Sequence, residues 1–203
     1  PSKKMEVDLY TAILIVIPLI SIILIAIALT RKVFHIQKSN DRLIEAIEKQ
    51  DEELALKILA SIPQGYPLDG SRGGMKVIHL ATLFAMPKLL KQLLDRPESS
   101  KININDQVEE TGNTPLHLAA LQGKRDIVQI LVDHLAIIDQ RNREGWTALH
   151  LATMKGRQQA KRILLDAGAD VTLKTHSGIS VFELQEVEKV HFGEKVWAKP
   201  KKE

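Results

Sequence analysis

The chain has 203 residues, a formal net charge of +3 and an apolar fraction of 44%. This composition is that of a globular protein and excludes collagen-like and wholly disordered chains. Cysteine is absent, which excludes a disulfide framework, a thiolate nucleophile and Cys-ligated metals. The charge excess lies entirely in the first forty residues, because residues 41–203 carry 23 basic and 23 acidic side chains. No basic domain is available to neutralise phosphates, so we predict no nucleic-acid partner.

The first distinctive element is an apolar run. Residues 9–29 (LYTAILIVIPLISIILIAIAL) are 21 consecutive positions without a charge. As a helix they would measure about 31 Å, which matches a bilayer core of about 30 Å, and Pro18 is tolerated within membrane helices. A buried core helix and a cleaved signal peptide are the alternatives, and the second is favoured by an A-x-A triplet at 26–28. The length of the run favours an uncleaved single-pass anchor that places residues 9–29 in the lipid bilayer.

The charges on either side of this run bear on membrane orientation. Lys3 and Lys4 precede it, whereas Arg31, Lys32 and Lys38 follow it. The positive-inside rule therefore weakly places the C-terminal domain on the cytoplasmic or matrix-like side. The sequence thus predicts an N-terminal flank (1–8), a transmembrane helix (9–30) and a juxtamembrane linker (31–40).

A repeat with a fixed period follows further along the chain. Gly112 opens the sequence GNTPLHLAA, Gly145 opens GWTALHLAT 33 residues later, and Gly178 follows after another 33 residues. A degenerate copy, KVIHLAT, occupies 76–82, and its histidine precedes His117 by 38 residues. Five residues are therefore inserted between these two copies, and we place them within 96–104 (RPESSKINI).

One unit of the repeat can be interpreted physically. Thr114 suits a helix N-cap, Pro115 suits the first helical position, and Gly123 can end the helix in a left-handed conformation. A second helix follows, with its inner face supplied by Ile127, Val128, Ile130 and Leu131. Because each helix pair is too small to bury its apolar face alone, the units must stack.

These residues resemble the ankyrin-repeat family, whose unit is about 33 residues long with a T-P-L-H-x-A signature. The resemblance covers about residues 40–187 and implies an all-α ankyrin-repeat solenoid of helix-turn-helix units with hairpin tips. An N-terminal capping pair is predicted at 41–61, with a helix starting at Asn40 or Asp41 and carrying Leu43, Ile44 and Ile47, and a second helix carrying Leu54, Leu56, Ile58 and Leu59. The implied domain (41–190) continues with a Gly/Pro-rich loop (64–75), repeats at about 74–106, 107–141 and 142–174, and a half repeat (175–190, helix 179–189), and a basic tail (191–203) follows.

Three histidines occupy the same place in successive units: His79, His117 and His150. Stacked units lie about 10 Å apart, far beyond the roughly 2 Å that a zinc ligand requires. In the ankyrin family this histidine is structural and bonds to backbone between adjacent repeats. No metalloprotease, nucleophile-elbow, Walker or Rossmann pattern is present. We therefore predict no catalytic, cofactor-binding or metal-binding residue, no cofactor and no enzyme activity.

The resemblance implies that a concave face of hairpin tips and first helices binds protein partners. A third hypothesis, an enzyme or transporter component with direct chemistry, has no residue to support it, so two hypotheses remain. The chain is either an accessory or scaffolding subunit of a membrane complex, in contact with its other subunits, or a free membrane-tethered adaptor that recruits a soluble protein. Trp and Arg are enriched at binding hot spots, and the two repeats that match the family signature best contain such residues. The predicted partner site comprises Arg141, Asn142, Arg143, Glu144, Trp146, Gln122, Lys124, Lys155 and Arg157.

Overall fold

The computed structural model describes residues 2–66, 68, 70–96 and 102–185. Within the first helix, side chains are described from residue 21 onward, except at 32, 33, 35 and 36. The chain divides into two compact units, Pro1–Asp41 and Arg42–Glu203, which are described separately below. The described residues are mostly helical, as the sequence predicts.

The first unit consists of the greater part of helix α1 (Ser2–Glu48). The predicted transmembrane helix 9–30 falls within it, but the side chains of 2–20 are outside the described residues. Beyond them, Ile22, Leu24 and Ile25 are 64%, 60% and 59% exposed. Among the residues that the structure describes, no helix combines the length and apolar character that a membrane crossing needs.

The predicted juxtamembrane linker (31–40) and the helix start predicted at its end both fall within helix α1. Helix α1 runs through these residues without a break, so neither Asn40 nor Asp41 starts a helix. The physical reason is visible in the sequence, because no glycine or proline occurs between residues 19 and 48. Without a residue that breaks the backbone hydrogen-bond pattern, the helix continues.

The N-terminal cap of the second unit is a pair of helices, the end of α1 and α2 (Glu52–Ser61). The predicted inner residues Leu43, Ile44 and Ile47 are buried. Helix α2 starts at the N-cap Asp51, whose carboxylate accepts the Leu54 N–H at 2.9 Å. In α2, Ile58 and Leu59 are buried and Leu56 is half-buried, whereas Leu54 is 39% exposed and does not belong to the predicted inner face.

The segment predicted as a loop over 64–75 contains a short β-hairpin. Strand β1 (Ser71–Arg72) pairs antiparallel with β2 (Met75–Lys76), with Ser71 opposite Lys76. Gly73 and Gly74 connect them, with φ of +56° and +70°. Two consecutive positive φ angles are the requirement of a two-residue hairpin turn, and glycine meets it without steric cost. The family resemblance implied hairpin tips, and this segment forms one where a Gly/Pro-rich loop was predicted.

Three helix pairs and one further helical turn follow. They are α3 (Val77–Leu83) with α4 (Pro87–Leu94), α5 (Pro115–Gln122) with α6 (Arg125–Asp133), α7 (Ala148–Met154) with α8 (Gln158–Asp166), and a turn over 181–185. First helices pack on first helices and second helices on second helices along the array. The predicted helix 179–189 is observed only as 181–185, and residues 186–203, including the basic tail, lie outside the described part of the chain.

The central repeat contains the helix cap, the helix end and the buried face that the sequence predicts. The Thr114 hydroxyl accepts the His117 N–H at 3.4 Å at the start of α5, and Gly123 ends this helix with φ of +75°. In α6, Ile127, Val128 and Leu131 are buried, and Ile130 is half-buried. The predicted cap, helix end and inner face are confirmed in this unit.

Candidate protein-interaction surfaces

A ladder of buried histidines connects each repeat to the next. The Nε2 atom of His79 donates to the carbonyl of Asp106 at 2.8 Å. His117 reaches the Trp146 carbonyl at 2.9 Å, and His150 bonds to the next connection in the same way. The predicted structural hydrogen bond between repeats is therefore observed at all three histidines.

The opposite ring nitrogen of each histidine is an acceptor. The Nδ1 atom of His117 accepts the Thr114 N–H at 3.2 Å and lies 2.7 Å from the Thr114 hydroxyl. One donor and one acceptor nitrogen define a neutral imidazole. Burial lowers the pKa of His79, His117 and His150 below the ordinary 6.5, although their bonds to carbonyls oppose the shift. In the described residues, no three metal-ligating side chains come together.

The connections that lead into the first helices form what we call the tip row, comprising residues 70–76, 106–113, 141–146 and 174–179. Asn142, which is only 9% exposed, organises one tip. Its Oδ1 accepts the backbone N–H groups of Glu144 at 3.0 Å and Trp146 at 2.9 Å, and its amide donates to Asn113 of the preceding tip at 2.9 Å. Asn142 therefore holds the tip together, with its polar atoms directed inward.

The other predicted tip residues differ in what they offer to a partner. The Arg141 guanidinium donates to the Lys174 carbonyl of the next tip. The Trp146 ring is half-buried and meets His150 edge-on, with ring centroids 6.0 Å apart and planes at 79°. Arg143 and Glu144 expose their side chains on a backbone that bonds to both neighbouring tips. These two side chains are the accessible part of the predicted tip site.

The remaining four predicted residues lie in a second row. We call it the turn row: the connection between the two helices of each pair together with the helix residues that adjoin it, at 49–52, 84–87, 122–125 and 155–158. Gln122 and Lys124 occupy one of these turns, and Lys155 and Arg157 occupy the next. The turns lie at the opposite end of the first helices, about 12 Å away for an eight-residue helix. The structure therefore does not bring the nine predicted residues into one patch but divides them between two rows.

Contacts between neighbouring turns fix part of the turn row. The Gln122 amide donates to the Leu83 carbonyl at 3.1 Å, and the Arg157 Nε donates to the Leu121 carbonyl at 3.2 Å. The Arg157 stem lies over Gly123, so closely that a Cβ there would stand 2.6 Å from Cδ. Lys124 and Lys155 are exposed.

Sequence reasoning missed residues in both rows. Gln107 donates to the Arg141 carbonyl at 3.1 Å, and Asn113 pairs with Asn142. Both contacts join segments about 30 residues apart, and no short motif indicates them. Arg125, the exposed first residue of α6, was also missed. Its position in the sequence, directly after the predicted partner residue Lys124, could have indicated that it belongs to the same surface.

Comparison with known proteins agrees with the helix pairs and the histidine ladder. Residues 78–175 match the family model described as ankyrin repeats, in 3 copies. Residues 78–175 therefore consist of ankyrin repeats. The chain is also similar to Dauer abnormal formation protein 25 of Caenorhabditis elegans, with 36% identity over 91 residues. The match covers 45% of this chain but only 22% of that protein. It therefore spans about a fifth of that relative's length.

Ankyrin repeats imply protein–protein interaction, and proteins built from them are typically interaction modules without enzyme activity. The surface features above agree with this role. Rigid connections present exposed charged side chains on one continuous array, and the buried histidines are used in hydrogen bonds within the array. The ankyrin array is thus the part of the chain from which a functional proposal must start.

Proposed function

We propose that this chain is a membrane-anchored ankyrin-repeat protein that acts as an accessory or scaffolding subunit of a membrane complex. The observation that carries the proposal is the array itself, three repeats that present rigid tips with exposed charged side chains. Function cannot be read from fold alone, so the proposal needs support for the anchor and for the binding surface separately.

The anchor is supported by composition and exposure. Residues 9–29 carry no charge and include eight isoleucines. Where the side chains of α1 are described, Ile22, Leu24 and Ile25 are each more than half exposed. A contiguous group of exposed large aliphatic side chains marks a site that interacts with another protein or with a membrane. A bilayer is the cover that fits a run of this length, with the array on the cytoplasmic or matrix-like side.

The binding surface is supported by preorganisation of the tips. The backbone of Arg143 donates to Thr111 at 3.1 Å, and the carbonyl of Glu144 accepts from His176 at 3.0 Å. Because neighbouring tips already hold these residues, a partner that binds them orders little additional backbone. Less ordering entropy is then lost on binding, which favours affinity. The concave face that includes these tips is the proposed contact with a protein partner.

The first experiment tests partner binding. The full chain is purified from native membranes in mild detergent, and co-eluting proteins are identified for the wild type, Arg143→Glu and Trp146→Ala. We expect Arg143→Glu to lose the partner at an unchanged melting temperature. Trp146→Ala also removes the edge contact with His150, so a fall in its melting temperature would assign the ring a structural role. Retention of the partner by both variants would place the contact outside this tip.

The second experiment tests the anchor. Alkaline carbonate should leave the full chain in the membrane pellet, whereas a chain without residues 1–30 should appear in the supernatant with the melting behaviour of a folded array. Extraction of the full chain by carbonate would refute the anchor.

The alternative, a free tethered adaptor, predicts a different purification result. A subunit co-elutes with its complex at a fixed ratio that is independent of expression level and resists salt. An adaptor is recovered largely without partner, and raising the salt concentration removes what remains. The observed stoichiometry therefore separates the two assignments.

A further inference from the structure

The later part of the turn row is strongly basic. Lys124 and Arg125 open α6, and Lys155 and Arg157 precede α8, all with exposed side chains. The ion pairs that form within the described residues include none of these four. The first turn of α6 contains one acidic residue, Asp126, and that of α8 contains none. The turn row therefore presents a net positive surface over two consecutive repeats, which we call the basic turns.

The first part of the turn row has the opposite arrangement. Glu52, the first residue of α2, accepts the backbone N–H groups of Lys88 at 2.9 Å and Leu89 at 3.2 Å. Glu53 adds an ion pair, 3.6 Å from Lys88 Nζ. A carboxylate supplied by the preceding helix pair thus neutralises the amino end of α4, where unpaired N–H groups and the helix dipole favour negative charge.

The chain does not repeat this arrangement at the basic turns. Glu52 is the first residue of α2, and the first residue of α6 is Arg125. A cation thus occupies the position from which a carboxylate would serve the next second helix, α8. Neither α6 nor α8 receives a side-chain hydrogen bond from its N-cap residue, Lys124 or Arg157. The amide groups at the start of these helices and the nearby cations therefore both favour the binding of an anion from outside the chain.

We infer that the basic turns bind an acidic segment of a protein partner, whose carboxylates take the place that Glu52 takes at α4. This inference rests on the proposed function, since it names the chemistry of a partner that the array binds. The Arg157 stem is already held over Gly123 and the Leu121 carbonyl. Its guanidinium therefore loses little freedom on pairing with a carboxylate, for which its planar donors are suited.

The geometry of the array also favours a peptide with regularly spaced acids. Equivalent helices in adjacent pairs pack about 10 Å apart, and an extended chain rises about 3.3 Å per residue. Acidic residues about three positions apart would therefore meet the α6 and α8 turns in succession. The partner that fits is an extended segment with Glu or Asp at every third position.

The test uses the full chain in non-ionic detergent micelles and a fluorescein-labelled peptide of four Glu-Ser-Gly units, followed by fluorescence anisotropy. We expect binding that weakens with added salt and is lost when Gln replaces Glu in the peptide. The variant Lys124→Glu/Arg125→Glu should weaken binding at least tenfold. Its melting temperature should not fall, because acidic residues at the start of α6 complement the helix dipole.

A matched control separates the basic turns from overall charge. Lys57→Glu/Arg162→Glu makes the same change in net charge at two exposed cations on the second helices α2 and α8. This control should alter peptide affinity less than twofold. An equal loss in both double variants, or no binding by the wild type, would overturn the inference.

Three further outcomes decide between partner classes and between the two proposals. Binding to vesicles containing phosphatidylserine that is lost in Lys124→Glu/Arg125→Glu, with no peptide binding, would assign the basic turns to anionic lipid and overturn the inference. Retention of the co-purifying partner by this variant would also overturn it, while the proposed function stands. A wild-type chain that co-purifies with no protein would overturn the proposed function and the inference with it.

Discussion

The tip row and the turn row carry charged and polar side chains from the same repeats, but the chain uses them differently. In the tip row, Asn142 bonds to Asn113 of the preceding tip, and His117 of α5 bonds to the Trp146 carbonyl of the following tip. In the turn row, Lys124 and Lys155 project outward without an ion pair in the described part of the chain. The buried polar groups of the tips hold that row together, and the exposed cations of the turns are left for a partner.

The difference follows from how each connection satisfies its own backbone. A turn between two helices is short, and the helix end supplies its hydrogen bonds; the N–H groups of both Gly123 and Lys124 reach the Ala119 carbonyl, at 2.9 and 3.1 Å. A tip is longer and lies outside regular helices, so its amide and carbonyl groups need other partners when buried. Side chains such as Asn142 supply them. Buried polar residues of the tips, such as Asn142, therefore take part in the structure, whereas Lys124 and Lys155 of the turns remain available.

The strongest test of this comparison removes one histidine of the ladder. His117→Ala should lower the free energy of unfolding by about 4 kcal/mol, because it opens a cavity and leaves the Trp146 carbonyl and Thr114 without their partner. Lys124→Ala in the turn row should change it by less than about 0.5 kcal/mol. Urea unfolding of the full chain in mild detergent measures both. Equal effects would remove the distinction between the rows.

The second test compares glycines at equivalent places. A Cβ at Gly145 would stand 2.7 Å from the His176 backbone nitrogen, whereas a Cβ at Gly178 would meet nothing within 4 Å. Both residues have positive φ, +81° and +80°. Gly145→Ala should therefore cost about 3 kcal/mol, and Gly178→Ala about 1 kcal/mol from the backbone conformation alone.

Gly123→Ala in the turn row completes this comparison. The three atoms nearest to a Cβ there all belong to the Arg157 side chain, the closest being Cδ at 2.6 Å. We expect a cost between those of the two tip variants, since the side chain can move and the backbone cannot. The same unfolding assay ranks the three variants, and a Gly123→Ala cost equal to that of Gly145→Ala would show that the turns are as tightly packed as the tips.

The third test uses pH. Because burial lowers the pKa of His79, His117 and His150 in the folded state, the unfolded chain takes up protons on them first. Their contribution to stability is complete above the ordinary pKa of 6.5 and is lost as the pH falls below it, until the folded histidines also titrate. We expect the free energy of unfolding to decrease between pH 7.5 and 5, by less than His117→Ala removes.

His134 and the His117→Ala variant help to identify the source of this pH dependence. His134 contributes with the opposite sign: although desolvation lowers its pKa, the bond to Asp95 at 3.1 Å raises it on balance. The His117→Ala variant should show a shallower pH dependence than the wild type. An unchanged slope would mean that the ladder is not the source of the effect.

The last test concerns a residue that follows a second helix, and its expected effect is small. Leu135 follows α6 with φ of +61° and is 84% exposed, whereas the equivalent position after α8 is Gly168, with φ of +86°. Leu135→Gly should raise the free energy of unfolding by about 1 kcal/mol, because glycine adopts this conformation without strain. A decrease would show that the leucine side chain makes stabilising contacts despite its high exposure.

The sequence alone determined the repeat, its caps and its buried face. The 33-residue spacing places Thr114 at an N-cap and Gly123 at a left-handed helix end, and both follow from local backbone chemistry. The hydrogen bonds of the histidines to the next repeat were implied by the family resemblance, and the structure contains them. Local signals of this kind can be recognised because they act within a few residues of each other.

Tertiary structure decided the rest. It divided the predicted partner site between the two rows. The tips and the turns lie at opposite ends of the first helices, and the spacing of the repeat does not reveal this separation. It exposed Phe182 by 52% at the position where Leu116 and Leu149 are buried. The described residues include no helix pair after Phe182, so the packing that buries the earlier leucines is not provided there. Burial depends on neighbouring units that the motif does not contain, and the motif by itself therefore fixes the shape of a repeat but not its surroundings.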